Sequence, residues 1–289
     1  MASAGQWLEG ARPRTLPAAV APVLVGSAAA GALDGFRLGR ALLALGVSLL
    51  LQVGVNYAND YSDGVRGTDA DRVGPLRLTG SGAARPGQVK AAALASFALA
   101  AALGLTLVAI SGHWWLIAVG VASVAAAWFY TGGPKPYGYL GFGELFVFIF
   151  FGLVAVLGTT YTQADRISAP AVAGACAIGA LACAILVANN LRDIPTDALT
   201  GKRTLAVRLG DSRTRWLYIA LLATAFILAA ACAPWHPAAL LALFAVALAV
   251  RPLRAVRSGA TGRDLIAVLR DTGRLELGYA ALLAIGLAL

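Results

Sequence analysis

Nine apolar runs succeed one another along this chain, at residues 16–33, 41–59, 91–111, 114–131, 141–160, 169–190, 215–233, 237–250 and 273–289. A helix needs about 20 apolar residues to cross roughly 30 Å of hydrocarbon. In lipid every backbone N–H and C=O must be satisfied internally, which leaves helices or closed barrels as spanning structures. Only 13% of the 289 residues are charged, against about 25% in a soluble domain. The expected fold is therefore an all-α polytopic membrane protein with nine transmembrane helices, forming one integral-membrane domain over residues 1–289. The eighth run is the shortest, bounded by Pro237 and Arg251. Abundant Gly and Ala suit close helix packing in lipid, and Trp114, Trp115, Trp128, Trp216 and Trp235 fall near predicted ends as an aromatic belt requires.

Charge fixes the expected orientation. Arg12 and Arg14, the cluster from Arg66 to Lys90, Lys135, the cluster from Arg192 to Arg215 and the cluster from Arg251 to Arg274 all fall on one side of a nine-helix path. Only Arg37, Arg40 and Arg166 are left on the other side, out of 23 basic residues. Basic residues concentrate in cytoplasmic segments, so the N-terminus is expected in the cytoplasm of a bacterial plasma membrane. No cleavable signal peptide is expected, because Glu9, Arg12 and Arg14 precede an apolar run that continues past Ala28. Cys176, Cys183 and Cys232 lie in apolar runs without metal or disulfide spacing and read as structural thiols. His113 and His236 fall on the side opposite the acidic clusters, which argues against a histidine general base. Nothing in the composition calls for nucleic acid.

Two apolar runs end in acid on the cytoplasmic side. Asn56, Asp60 and Asp63 stand at i, i+4 and i+7, which places them on one helical face. Asn189, Asp193 and Asp197 stand at i, i+4 and i+8 after the sixth run. The chain thus reads as two four-helix units plus a ninth helix, each unit carrying its cluster after its second helix, in the manner of a degenerate duplication. A single such cluster would read as a helix cap or a solvated helix end. Two at equivalent places point to function, as ionisable groups at membrane helices usually do. Carboxylates and carboxamides are Mg²⁺ ligands, and Mg²⁺ keeps waters and bridges to phosphates. Pro195 disfavours helix at Ile194, so Asp197 is expected on a turn.

Cations follow each cluster: Arg66, Arg72 and Arg77 after the first, Arg192, Lys202 and Arg203 around the second. They suit a diphosphate, which guanidinium groups bind in bidentate fashion, and equally suit ordinary positive-inside charge. The segments 61–90 and 191–214 are expected to fold over the site as caps on a central cavity, since loops of that length usually carry function. Between the two units, Trp128–Tyr139 is a Gly- and Pro-bent loop that brings Lys135 and several tyrosines, Tyr139 among them, to the same mouth. Aromatic rings there would stabilise a developing carbocation; an interfacial aromatic belt accounts for them as well. Glu144 follows at the start of helix 5, where it meets the helix dipole.

These residues resemble the UbiA superfamily of intramembrane prenyltransferases, whose first motif stands here as Asn56-xxx-Asp60-xx-Asp63 and second as Asp193-xxx-Asp197. The likeness covers nearly the whole chain, with no departure at the metal-binding positions. Within the superfamily, Ala11–Pro17, Asn59–Asp69, Asp71–Arg77 and Asn189–Ala206 are most similar to the members that prenylate 1,4-dihydroxy-2-naphthoate. The resemblance implies transfer of a polyprenyl group from its diphosphate to that naphthoate, with loss of CO₂, giving a demethylmenaquinol. It implies Mg²⁺ held by Asn56, Asp60, Asp63, Asp193 and Asp197. Arg66, Arg192, Lys202, Arg203, Asn59, Asn189 and Asn190 would bind the diphosphate. Lys135 would meet the naphthoate carboxylate and Tyr139 would act beside the aspartates.

Three other readings stay open on the residues alone. Another prenyltransferase of this kind, with a different acceptor or a phytyl donor, is separated by acceptor assays. Asp60-Tyr-Ser-Asp63-Gly64 is similar to the opening of the CDP-alcohol phosphotransferases, but those enzymes keep their aspartates in one motif. A cation-coupled transporter would place its acids near the bilayer midplane, whereas these stand at helix ends.

Overall fold

The computed structural model describes residues 2–68 and 76–289. Among the described residues the regular structure is helical throughout. It comprises α1 (Ala4–Gly10), α2 (Pro17–Gly31), α3 (Leu38–Arg66), α4 (Pro86–Ser111), α5 (Leu116–Phe129), α6 (Gly143–Val147), α7 (Ala155–Ala164), α8 (Ala169–Leu199), α9 (Leu205–Ala231), α10 (Val246–Arg257) and α11 (Asp264–Ala288). A π-helical stretch, Phe148–Val154, joins α6 to α7, and a 3₁₀ stretch, Pro237–Ala245, leads into α10. Among the described residues, six helices or helical runs are long and apolar enough to cross a membrane: α3, α4, Gly143–Ala164, α8, α9 and Pro237–Arg257. The apolar helices α2 and α5 are shorter. The first half of α11 carries Asp264, Arg270, Asp271, Arg274 and Glu276 before its apolar end.

The core is built around α8, whose most apolar window is 72% buried, against 22–33% for the other five candidates. Small residues make that burial possible. A side chain on Gly152 would lie 2.7 Å from the Cα of Gly179 and 2.7 Å from the Ala175 carbonyl, so the π-helical stretch rests on α8 backbone to backbone. The fifth apolar run, expected over 141–160, is one helical run, Gly143–Ala164, whose middle is π-helical. Both motif helices pack along the helix that follows them, α3 along α4 and α8 along α9.

Two expectations fail for a common reason. The segment 191–214 is not a long loop: α8 continues to Leu199 and α9 begins at Leu205, with a break at Gly210 where φ is 76° and ψ 172°. Pro195 lies inside α8 and does not end it, so Asp197 stands on a continuous helix and not on a turn. Apolar periodicity stops where the hydrocarbon stops, whereas a helix of charged residues can project beyond it. A proline four residues before the helix end removes one rung of the ladder without breaking the rod. The same projection takes α3 to Arg66. Arg72, with the rest of the run 69–75, lies outside the described residues.

The opposite end of the molecule is tied separately. Arg37 binds the Gln163 carbonyl at 3.3 Å, Arg40 binds the carbonyls of Thr162 and Ile110, and His113 meets Asp165 at 2.7 Å. These contacts join the start of α3 to the ends of α4 and α7, one helix length from the acidic clusters. All three cysteines are free; Cys183 and Cys232 are buried and Cys176 is half-buried.

Candidate active site

Asn56, Asp60 and Asp63 occupy the final turns of α3, and all three are buried although their helix is leaving the apolar zone. Burial of a carboxylate demands partners, and each residue has them. Asp60, 1% exposed, accepts two backbone N–H groups from the segment after α3, Leu78 at 2.7 Å and Thr79 at 2.8 Å. Asn56 donates to the Ala11 carbonyl at 2.9 Å and to Thr15 Oγ1 at 3.1 Å, which fastens the Pro13–Thr15 turn to the motif. The Thr15 hydroxyl also accepts from Gln52, one turn earlier on α3. Asn59 accepts from Thr131 Oγ1 at 2.8 Å.

Asp63 is the point where three chain segments meet. The Tyr139 hydroxyl donates to its Oδ1 at 2.6 Å. Its Oδ2 faces Arg77 at 3.6 Å and Lys202 at 3.5 Å. Lys202 in turn caps α8, its backbone N–H bonded to the Asp197 carbonyl at 2.9 Å. A single residue therefore touches one motif with its side chain and the other with its main chain. The Lys202 ammonium also stands 4.7 Å from the centre of the Tyr139 ring, with the Arg66 guanidinium 5.4 Å away. Arg203 N–H donates to the Tyr139 carbonyl. Arg66 donates to the carbonyls of Thr131 and Gly133, holding the 130–142 loop against the end of α3.

The Tyr139 phenol is held above its ordinary ionisation range, first by burial and then by the charge of Asp63, so it remains a donor. Tyr130, in the same loop, is pushed up by burial first, with further contributions from Glu144, Tyr137, Asp63 and Asp197. Its phenol thus feels one aspartate from each cluster.

The second cluster is arranged differently. Arg192 binds its neighbour Asp193 through two bonds of 2.7 Å and also reaches Asn189 Oδ1 at 2.9 Å. Asn190 turns instead to Glu144 of α6, donating at 2.9 Å. Lys135 is exposed on the outer part of the 130–142 loop. The site thus gathers Asp60, Asp63, Tyr139, Lys202, Arg66 and Arg77 with the end of α8, while Asn190 and Lys135 stand apart. Thr131, Thr15 and the amides of Leu78 and Thr79 were not legible as site groups. Their signal is a backbone donor or a hydroxyl on a distant loop, which spacing does not reveal.

Among the described residues, no three His, Cys, Asp or Glu side chains converge as a ready-made metal site. That donor set nonetheless fits Mg²⁺, which is bound by one or two carboxylates plus substrate phosphate and keeps its waters. The buried carboxylates of Asp60, Asp63, Asp193 and Asp197 supply such oxygens at two linked helix ends. Beside the second cluster a cavity of about 350 Å³ opens between α1, the Pro13–Thr15 turn, α8 and α11.

Residues 19–265 match the sequence profile of the UbiA prenyltransferase family. The chain is 58% identical to the 1,4-dihydroxy-2-naphthoate octaprenyltransferase of Mycobacterium tuberculosis, over 100% of this chain and 98% of that protein. It is 43% identical to the protein of the same name from Escherichia coli, over 75% of this chain and 72% of that protein. Among solved structures, a UbiA homolog from Archaeoglobus fulgidus bound to DMAPP and Mg²⁺ superposes with a TM-score of 0.68 at 15% identity, covering 98% of this chain and 99% of that one. At that identity the likeness is one of fold.

Proposed function

This chain belongs to the UbiA prenyltransferase family, and we infer that it transfers a polyprenyl group from polyprenyl diphosphate to 1,4-dihydroxy-2-naphthoate. The carboxylate leaves as CO₂, diphosphate is released, and the product is a demethylmenaquinol of the menaquinone pathway. What carries this reading is the meeting of both acidic clusters at Asp63 in a chain so similar, end to end, to naphthoate octaprenyltransferases.

The site's own groups account for the chemistry. Mg²⁺ bound by Asn56, Asp60, Asp63, Asp193 and Asp197 would neutralise charge developing on the leaving diphosphate. Lys202, Arg66, Arg192 and Arg203 add cationic donors, and Asn59 and Asn189 complete the polar surface around the diphosphate. Such preorganised charge in a water-poor site is worth far more than in bulk water. Tyr139, protonated and donating to Asp63, holds that carboxylate in place, and its ring faces the same mouth where an allylic cation forms. The naphthoate hydroxyls make the ring electron-rich, so attack on the allylic carbon needs little basicity from the protein. The six apolar helical runs, with α2, α5 and α11, make nine spans with the N-terminus in the cytoplasm of a bacterial plasma membrane. The proposed architecture is a single domain with a central cavity capped by residues 76–85 and the Lys202–Arg203 turn.

Purified protein in detergent, given 1,4-dihydroxy-2-naphthoate and prenyl diphosphates of several lengths, should form the decarboxylated prenyl product by mass spectrometry, with diphosphate release only when Mg²⁺ is present. Turnover of hydroxybenzoate or homogentisate in place of the naphthoate would overturn the acceptor assignment. Failure to release diphosphate with any acceptor would overturn the transferase itself.

A further inference from the structure

The cavity beside the second cluster has a lining that the diphosphate chemistry uses only in part, through Asn189 and Arg192. Its lining includes five arginines, Arg12, Arg14, Arg77, Arg192 and Arg270, and one acid, Glu9. Most of these charges are already engaged. Glu9 accepts the Leu76 N–H at 3.2 Å, Arg77 faces Asp63, Arg192 binds Asp193, and Arg270 binds Asp271 at 2.9 Å. Arg14 differs: it is exposed and makes no side-chain hydrogen bond or ion pair among the described residues. Apolar side chains, Leu8, Ile185 and Leu269 among them, complete the wall.

Size, charge and position together select a ligand. About 350 Å³ is near the lower end of small-molecule pockets, which run from about 300 to 1,000 Å³. It suits a two-ring aromatic and not a long isoprenoid. A free guanidinium above an apolar floor suits a carboxylate on that ring, since Arg–carboxylate pairs are bidentate and charge-assisted. Asn189 and Arg192 line the cavity and also belong to the second acidic cluster, so its occupant borders the diphosphate site. The turn that presents Arg14 is itself pinned to the first cluster, because Asn56 holds both Ala11 and Thr15. We propose that this cavity is the acceptor subsite, with Arg14 recognising the aryl carboxylate and Leu8, Ile185 and Leu269 packing on the rings. The proposal rests on the prenyltransferase reading above and places the acceptor's charge at Arg14, on the side of α1 and α11, and not at Lys135.

The test is kinetic, with full-length protein in nanodiscs at saturating donor. In Arg14→Ala and Arg14→Gln the KM for 1,4-dihydroxy-2-naphthoate should rise at least 10-fold, with the loss falling on acceptor KM and not on donor KM. Arg14→Lys should recover part of it. Inhibition by 1-hydroxy-2-naphthoate should weaken in step, whereas inhibition by 1-naphthol, which lacks the carboxylate, should not change. An unaltered acceptor KM in Arg14→Ala, or equal weakening of both inhibitors, overturns the assignment. So does a KM effect that appears only when the nanodiscs contain phosphatidylglycerol, which would make the cavity a seat for an anionic headgroup. Wild-type protein that forms no naphthoate product at all condemns the prenyltransferase reading instead, so the two failures are distinguishable.

Discussion

The two acidic clusters have the same spacing over their first two residues and the same place at the end of a long helix, yet their carboxylates are satisfied by opposite means. On α3, Asp60 is held by two backbone amides of the neighbouring segment. Amides orient a carboxylate without cancelling its charge. On α8, Asp193 is bound by the guanidinium of the residue before it, which neutralises it locally. Asp60 is thus a fixed anion that organises a loop, whereas Asp193 is one half of an ion pair; Asp63, between them, faces both Arg77 and Lys202. Asp63 and Lys202 join the two. In the proposed metal–diphosphate site this division would let one half keep a cation-binding geometry while the other turned an arginine toward phosphate.

The largest effect should come from removing one acid on each side. Asp60→Ala and Asp193→Ala are both expected to reduce kcat by 10²-fold or more, the scale on which oriented electrostatic groups act. Their stability costs should differ in kind. Asp193→Ala leaves Arg192, whose side chain is 2% exposed, a buried charge without its main counter-ion, a change that costs about 3–5 kcal/mol. Adding Arg192→Leu should recover most of that stability but none of the activity. Asp60→Ala strands two amides at about 1–3 kcal/mol each, and no single second substitution should restore it. Thermal unfolding in micelles reads both. Rescue of Asp60→Ala by a neighbouring change, or its absence in Asp193→Ala/Arg192→Leu, would erase the distinction between a loop anchor and an ion pair.

The α3 half was the more legible of the two in the sequence. The i, i+4, i+7 spacing of Asn56, Asp60 and Asp63 is a helical signature, and α3 carries it on one face as expected. The α8 half is harder to read, because Pro195 signals a helix stop that α8 does not obey, and because charged residues after Leu191 look like a loop when apolarity is the only guide. Cross-chain partners were invisible for a different reason. Tyr139 was legible as an aromatic at the mouth, but its bond to Asp63 depends on how the 130–142 loop folds back. Asp60's amides could not be read at all, since a backbone N–H has no letter of its own. From the residues alone Arg14 reads as topology-setting charge, because nothing in its neighbours' identities marks a cavity.

A smaller effect should follow at the residue that joins the halves. Tyr139→Phe keeps the ring near Lys202 but removes the 2.6 Å bond to Asp63. A hydrogen bond to a charged group contributes about 1.5–3 kcal/mol, so a loss of roughly 10-fold in kcat is expected, with Mg²⁺ demand raised because Asp63 is less fixed. The pH dependence separates this from a general loosening. The folded phenol ionises above the ordinary value near 10. The folded state therefore binds more protons than the unfolded state once pH exceeds that value, and stability falls as pH rises through the window above it. Below pH 10 this group gives no slope. Tyr139→Phe should lessen the alkaline fall, to which the raised phenol of Tyr130 also contributes, and leave the profile below pH 9 unchanged; a change of slope near neutral pH would assign the effect to another group.

The smallest expected effect concerns the residue after the last aspartate of each cluster, Gly64 on α3 and Ala198 on α8. A side chain on Gly64 would meet Thr79 Cβ and Cγ2 at 2.5 Å, the same threonine whose amide Asp60 holds. Ala198 is exposed. Gly64→Ala gains about 0.5–1 kcal/mol of helix propensity, but a forced contact in a packed place costs about 1–3 kcal/mol. The net is a destabilisation near 1 kcal/mol with the 78–79 amides pushed off Asp60, and a several-fold rise in the Mg²⁺ concentration for half-maximal rate. Ala198→Gly should cost only its helix propensity, about 1 kcal/mol at most, with no change in Mg²⁺ dependence. Similar stability losses with a shift in Mg²⁺ demand for Gly64→Ala alone would show that the first cluster's loop seat belongs to metal binding. Equal shifts in both variants would mean the two helix ends are equivalent after all, and that the amides on Asp60 do no more than the arginine on Asp193.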